Sequence, residues 1–163
     1  MPSRRPLSAI LAVAALATLV GCSPTVNMTP AADDANNPAC ADVIVRLPDA
    51  MTDYDQNDVP KRETNAQSTA AWGEPTAMLL YCGVPAPGPS ELPCIELNGI
   101  FWLREVVDAG LAFTAYGREP AVRVVIDEEA LAPGVALRDL STAVALLPGN
   151  GRECTDLDDT VSG

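Results

Sequence analysis

Five cysteines, Cys22, Cys40, Cys82, Cys94 and Cys154, are the residues of this 163-residue chain best placed to form covalent bonds. No histidine accompanies them. The commonest general base and metal ligand is therefore missing, and with it every Ser-His-Asp or Cys-His arrangement. An odd number of thiols in an exported protein needs one with a separate fate. Cys22 has the setting for that fate. It closes Leu19-Val20-Gly21-Cys22, a leucine, two modest or small residues and then cysteine. This is lipobox spacing, at which the thiol takes a diacylglycerol and the chain is cut just before it. The other four cysteines then read as two disulfides. Cys82 and Cys94 flank "GVPAPGPSELP" between two strand-like runs, so a bridge across the base of that loop is expected, and Cys40 pairs with Cys154 by elimination. A zinc site of four thiolates is disfavoured, because no two cysteines stand at C-x2-C spacing. No metal and no cofactor is expected.

Other constellations are weaker. "DYDQNDVPKRET" starts like a calcium loop, with Asp53, Asp55 and Asn57 at positions one, three and five. Asp58 stands where glycine belongs and Thr64 where a bidentate glutamate belongs, so a solvated acidic turn is the plainer reading. Glu128 and Glu129 are adjacent on a turn and cannot flank a substrate as a glycosidase pair does. "NAQST" sets Asn65 and Gln67 near Trp72, and "YGREP" sets Tyr116 and Arg118 at a tight strand connection. Amides, a hydroxyl and a guanidinium suit a polar ligand or partner surface. They suit equally well a structural latch between two segments, the favoured reading. None of these residues is expected to be catalytic.

The elements that must position these groups follow from patterning. Residues 1–21 carry Arg4 and Arg5, no acid and a 14-residue apolar run, the pattern of a signal peptide. A permanent span needs about 20 residues. Ordinary cleavage near Ala15-Leu16-Ala17 is the weaker alternative, since it strands Cys22 as an odd thiol. Arg4-Arg5 hints at twin-arginine export, although Pro6-Leu7-Ser8 fits that motif poorly and the general secretory route is favoured. Residues 22–39 read as the lipidated cysteine and a flexible spacer, residues 40–154 as one extracytoplasmic domain, and residues 155–163 as an acidic tail. Within the domain, residues 41–49 read as a short strand, residues 64–72 as a short helix and residues 76–84 as a buried strand. Asn98-Gly99 is a type I′ turn dipeptide between two strands. It faces Leu97 with Ile100 and Ile95 with Trp102 on one apolar side. Val122, Val124 and Ile126 line one face of a later strand. Leu137, Leu140, Val144 and Leu147 recur at helical spacing, with Asp139 as the expected N-cap. The expected fold is α+β: an antiparallel sheet of five to six strands, one main C-terminal helix and one short helix packed on it, and two disulfides.

Formal net charge is −12, and loss of Arg4 and Arg5 with the signal leaves −14. Such a surface repels nucleic acid. "RETNAQSTAAWG", "FTAYGREPAV", "CADVIVRLPD", "CGV" and the Asn-Gly hairpin together resemble the domain-of-unknown-function 3515 lipoproteins of high-GC Gram-positive bacteria. The resemblance implies an envelope lipoprotein and carries over no catalytic residue. The expectation is a non-enzymatic interaction or accessory domain, lipid-anchored on the extracytoplasmic face of the membrane, with an envelope protein or cell-wall component as partner. The alternative is a small ligand-binding or carboxylate-based hydrolytic domain acting on cell-wall material, which a pocket collecting Asn65, Gln67, Trp72, Tyr116 and Arg118 would favour.

Overall fold

A computed structural model describes residues 24–155. The signal segment, Cys22 and the tail beyond Thr155 lie outside the described residues. The element order is α1 (Pro38–Ile44), β1 (Ala50–Thr52), β2 (Asp58–Arg62), β3 (Thr69–Trp72), β4 (Met78–Val84), β5 (Cys94–Leu97), β6 (Ile100–Val107), β7 (Gly110–Tyr116), β8 (Ala121–Ile126) and α2 (Pro133–Val144). The strands form one antiparallel sheet in the order β1-β2-β3-β4-β8-β7-β6-β5. The sheet curls around α2, which touches both β1 and β5, its two ends. Ser141 on α2 donates to Leu97 O on β5 and to Leu137 O within its own helix.

The α+β class, the sheet with a C-terminal helix, the second short helix and the two disulfides stand as expected. The Asn98-Gly99 hairpin also stands, register included: both turn residues have positive φ, Leu97 faces Ile100 and Ile95 faces Trp102. Val122, Val124 and Ile126 are fully buried, as are Leu137, Leu140 and Val144.

Among the described residues the sheet has eight strands rather than five or six. The extra ones come from residues 50–72, where apolar periodicity fails. β2, "DVPKR", has mixed exposure and no buried residue. β3, "TAAW", is buried on both faces and shows no alternation. Residues 64–72 therefore do not form a helix: Thr69 to Trp72 pair with Tyr81 to Met78 in β4. Residues 38–44 form a helix that takes up the start of the strand expected over residues 41–49. Pro38 sits in its first turn and Asn37 accepts from the Ala39 N–H at 3.0 Å. Those start signals outweigh the β-branched run, because Cys40 and Val43, three apart, are what the core takes in. α2 begins at Pro133 with Ala132 as N-cap, so Asp139 lies inside the helix and caps nothing.

The disulfide pairing is corrected: Cys40 bonds Cys82 and Cys94 bonds Cys154, with Cα separations of 5.6 and 6.1 Å. The reason is strand order. β4 pairs with β8, so Cys82 and Cys94 stand on strands separated by β8, β7 and β6. Register puts them on opposite faces as well. Cys94 opposes Leu103 in a row that runs through Thr114 and Arg123 to Tyr81, on the outer face. Cys82, next to Tyr81, points inward with Leu80 and Val122. One bridge thus ties α1 to β4 inside, and the other ties the segment after α2 to β5 outside.

Residues 24–37, expected as a flexible spacer, lie against the domain. Val26 bridges Thr64 in parallel, donating to Glu63 O at 2.8 Å and accepting from the Asn65 N–H at 3.2 Å. The Met28 side chain is buried. Further along, the Asp34 N–H donates to Gly83 O at 3.0 Å.

Candidate functional site

The five polar and aromatic residues expected at one surface go to four places. Asn65 is a latch for the N-terminal arm: its Oδ1 accepts from the Met28 N–H at 2.8 Å, and its Nδ2 donates to Asn27 Oδ1 at 2.9 Å. Gln67 is exposed on the same turn. Trp72 is buried in the core, with Nε1 donating to Pro48 O at 3.1 Å. Arg118 follows β7 and donates through Nη1 to Ala145 O and Leu147 O at 3.3 and 2.9 Å. Ala145 caps the C-terminus of α2 and Leu147 lies just beyond it, so the cation stands where it complements the helix dipole. Tyr116 ends β7 beside Phe101 on the outer face. The expected contact of Asn65 and Gln67 with Tyr116 and Arg118 does not form, because β4 and β8 stand between β3 and β7. Both sides are latches, but to different elements. Arg118→Ala is expected to lower the melting temperature by several degrees, the effect of about 1 kcal/mol in a domain of this size. Thermal unfolding by circular dichroism checks it.

The acidic turn also resolves as structure. Asp53 Oδ1 accepts from the N–H groups of Asp55 and Asn57, both at 2.8 Å, and Oδ2 accepts from Asn57 Nδ2 at 3.1 Å. Hydrogen bonds from Asn57, backbone first and then side chain, hold the Asp53 carboxyl below its ordinary value. The carboxylate closes the β1–β2 hairpin. Among the described residues no three potential ligands gather around one metal position. Glu128 contributes its backbone carbonyl to the Tyr54 hydroxyl at 2.7 Å.

A prominent concave feature among the described residues is one that sequence patterning missed. Loop 85–93 leaves β4 and crosses the outer face of the sheet before β5. Two cavities of about 490 and 540 Å³ open beneath it and share Pro89, Ser90, Leu92 and Leu103. Leu103 lies on the outward side of β6 and is nevertheless buried. The smaller cavity is closed by Tyr116, Glu91, Glu153 and the Cys94–Cys154 bridge. The larger one is floored by Thr114 and Arg123, and Arg123 pairs with Glu105 at 2.7 Å. Arg152 donates to Pro87 O at 3.4 Å, tying the segment after α2 to the loop. The cleft combines apolar walls at Leu92 and Leu103 with charged groups at both ends, Arg123 with Glu105 at one and Glu91 with Glu153 at the other, which suits an elongated ligand with polar termini. Its only trace in the sequence is the proline spacing in "PAPGPSELP", which marks a loop but not the face it covers.

A family model described as a protein of unknown function, DUF3515, matches residues 5–150. No curated protein and no solved structure matches the chain.

Proposed function

The chain belongs to the DUF3515 family, and from that premise we propose that it is a membrane-anchored extracytoplasmic lipoprotein whose domain serves as a non-enzymatic accessory or interaction module of the cell envelope. The observation that carries this reading is the fate of the cysteines. All four that follow Cys22 are paired, Cys40 with Cys82 and Cys94 with Cys154. Two disulfides in a small domain belong to an oxidising compartment. Cys22 alone is left for another chemistry, at the end of an apolar run too short to span. The side chains that looked most like a site also support a non-enzymatic role, because Asn65, Trp72 and Arg118 are spent on the arm, the core and the end of α2.

Two acyl chains anchor stably where one binds only marginally. Cys22→Ala is therefore expected to release the domain from the membrane fraction or to leave an uncut precursor. Detergent phase partitioning and the mass of the product check this. Unchanged partitioning and unchanged mass would refute the anchor.

A second reading, a ligand-binding or carboxylate-based hydrolytic domain acting on cell-wall material, is favoured by the cleft. Glu91 and Glu153 line the same cavity there. Titration of the labelled domain with soluble cell-wall fragments separates the two readings: amide shifts confined to residues 85–94, 103 and 153–155 would support the second.

A further inference from the structure

Residues 24–37 do more than join a lipid to a domain. The arm is fastened at successive points. Arg62 Nη2 donates to Pro24 O at 2.7 Å, Val26 exchanges backbone hydrogen bonds with residues 63 and 65, and Asn65 holds Asn27 and Met28. Ser68 Oγ donates to Ala35 O at 2.6 Å, and Ala35 is buried. The first of these points is Pro24. Only Ser23 separates it from Cys22. A chain advances at most about 3.5 Å per residue, so two residues give a reach of at most about 7 Å from Pro24. A lipid on Cys22 would be tethered to the folded domain by that short reach alone.

Charge adds an independent observation. Residues 24–32 carry no ionisable side chain and residues 63–68 carry only Glu63, in a chain with 22 acids. The arm's first nine residues thus add no charge to the surface nearest the anchor, where Glu63 and Glu74, the latter paired with Arg62, are the neighbouring acids. Such a face meets phospholipid headgroups with less repulsion than the rest of the surface generates.

We infer that the arm is a rigid spacer that holds the face formed by residues 24–32 and 63–68 against the bilayer and so fixes the orientation of the domain. This rests on the anchoring at Cys22 proposed above. Its consequence concerns the cleft. The first residues of the arm dock beside β2, and β3, β4, β8 and β7 stand between β2 and β6, which carries Leu103. The end of the cleft lined by Cys94, Leu103 and Tyr116 is then kept off the headgroups and open to the envelope.

The test supplies the anchor chemically, so that it does not depend on lipidation in the cell. The chain starting at Cys22 has one free thiol, which is coupled to a maleimide lipid in phosphatidylcholine vesicles that also hold a rhodamine-labelled lipid. A donor dye is introduced through an unnatural amino acid, at Gln67 in one sample and at Asp108 on the β6–β7 turn in another. Gln67 lies beside the docked arm and Asp108 on a turn beyond β4, β8 and β7, so energy transfer to the lipid dye is expected to be clearly higher from Gln67. Inserting ten Gly-Ser residues between Ser23 and Pro24 leaves the domain untouched and is expected to abolish the difference. Equal transfer from both positions without the insertion would overturn the inference. A difference that survives the insertion would overturn it too, because the surface itself and not the arm would then set the orientation. Failure here with a released Cys22→Ala variant in cells refutes the fixed orientation alone. A Cys22→Ala variant that stays membrane-bound refutes the anchor instead.

Discussion

Replacing Cys40 and Cys82 together by alanine is expected to destabilise the domain by about 4 kcal/mol, the chain-entropy value for a closed loop of this length. The sequence separation is 42 residues. For a domain of this size that corresponds to a fall in melting temperature of roughly 10–20 °C. The expectation is strong because both sulfurs are fully buried, so the change also removes packed atoms between α1 and β4. The Cys94–Cys154 bond closes a longer loop, with a separation of 60, yet its removal is expected to cost less, roughly 2 kcal/mol. Cys154 is half-exposed, and the neighbouring segment is otherwise tied to loop 85–93 by the bond from Arg152 to Pro87 O. Freed, that segment regains conformational freedom in the folded state, which offsets part of the loss. Thermal melts of the two double variants give the ranking. Peptide mapping without reduction tests the pairing beneath it, and a peptide joining Cys82 to Cys94 would refute the assignment.

The mistaken pairing marks where local information ends. The Asn98-Gly99 hairpin was legible down to its register because a type I′ turn fixes which residues face each other, and the alternation of Ile95, Leu97, Ile100 and Trp102 agrees with it. The buried stripe of α2 was legible for the same kind of reason. Which strand lies beside β4 is a different matter. β5 follows it in sequence, but β8 takes the place, and no periodicity encodes that choice. What depended on the neighbour failed with it: the bridge from Cys82 to Cys94 and the expected contact between Asn65 and Arg118. β1 to β3 escaped notice because short strands with polar or wholly buried residues leave no period of two. The arm escaped because its composition is that of a linker. Its anchorage comes from its own backbone groups, met by the backbone at residues 63 and 65 and by the side chains of Arg62, Asn65 and Ser68, and from only two buried apolar side chains, Met28 and Ala35.

"CGV", one of the segments that carried the family resemblance, acquires a physical reason from the same region. Cys82 bonds α1, and Gly83 lets the arm pass. Gly83 has φ of +96°, in the region that disfavours L side chains. A Cβ there would stand 2.5 Å from the Ala35 nitrogen and closer still to the Asp34 carbonyl carbon, both backbone atoms that cannot rotate away. Gly83→Ala is therefore expected to carry two costs. The backbone conformation alone costs about 1–3 kcal/mol. The clash must also be relieved by moving residues 34–35, which breaks the bond from the Asp34 N–H to Gly83 O, about 1 kcal/mol more. The expected sum is about 2–4 kcal/mol. The order of opening is more telling than the total. The amides of Val26 and Asp34 are hydrogen-bonded to Glu63 and Gly83, and they should lose protection before those of β4, β7 and β8 do. Hydrogen exchange on the folded variant measures this directly. Protection lost uniformly over the whole domain would mean that the arm is part of one cooperative unit with the sheet. Protection lost from the arm alone would mean that one methyl group turns a fixed spacer into a leash. On vesicles, the Gly83→Ala protein should then behave like the protein with a Gly-Ser insertion, although its anchor and its surface chemistry are unchanged.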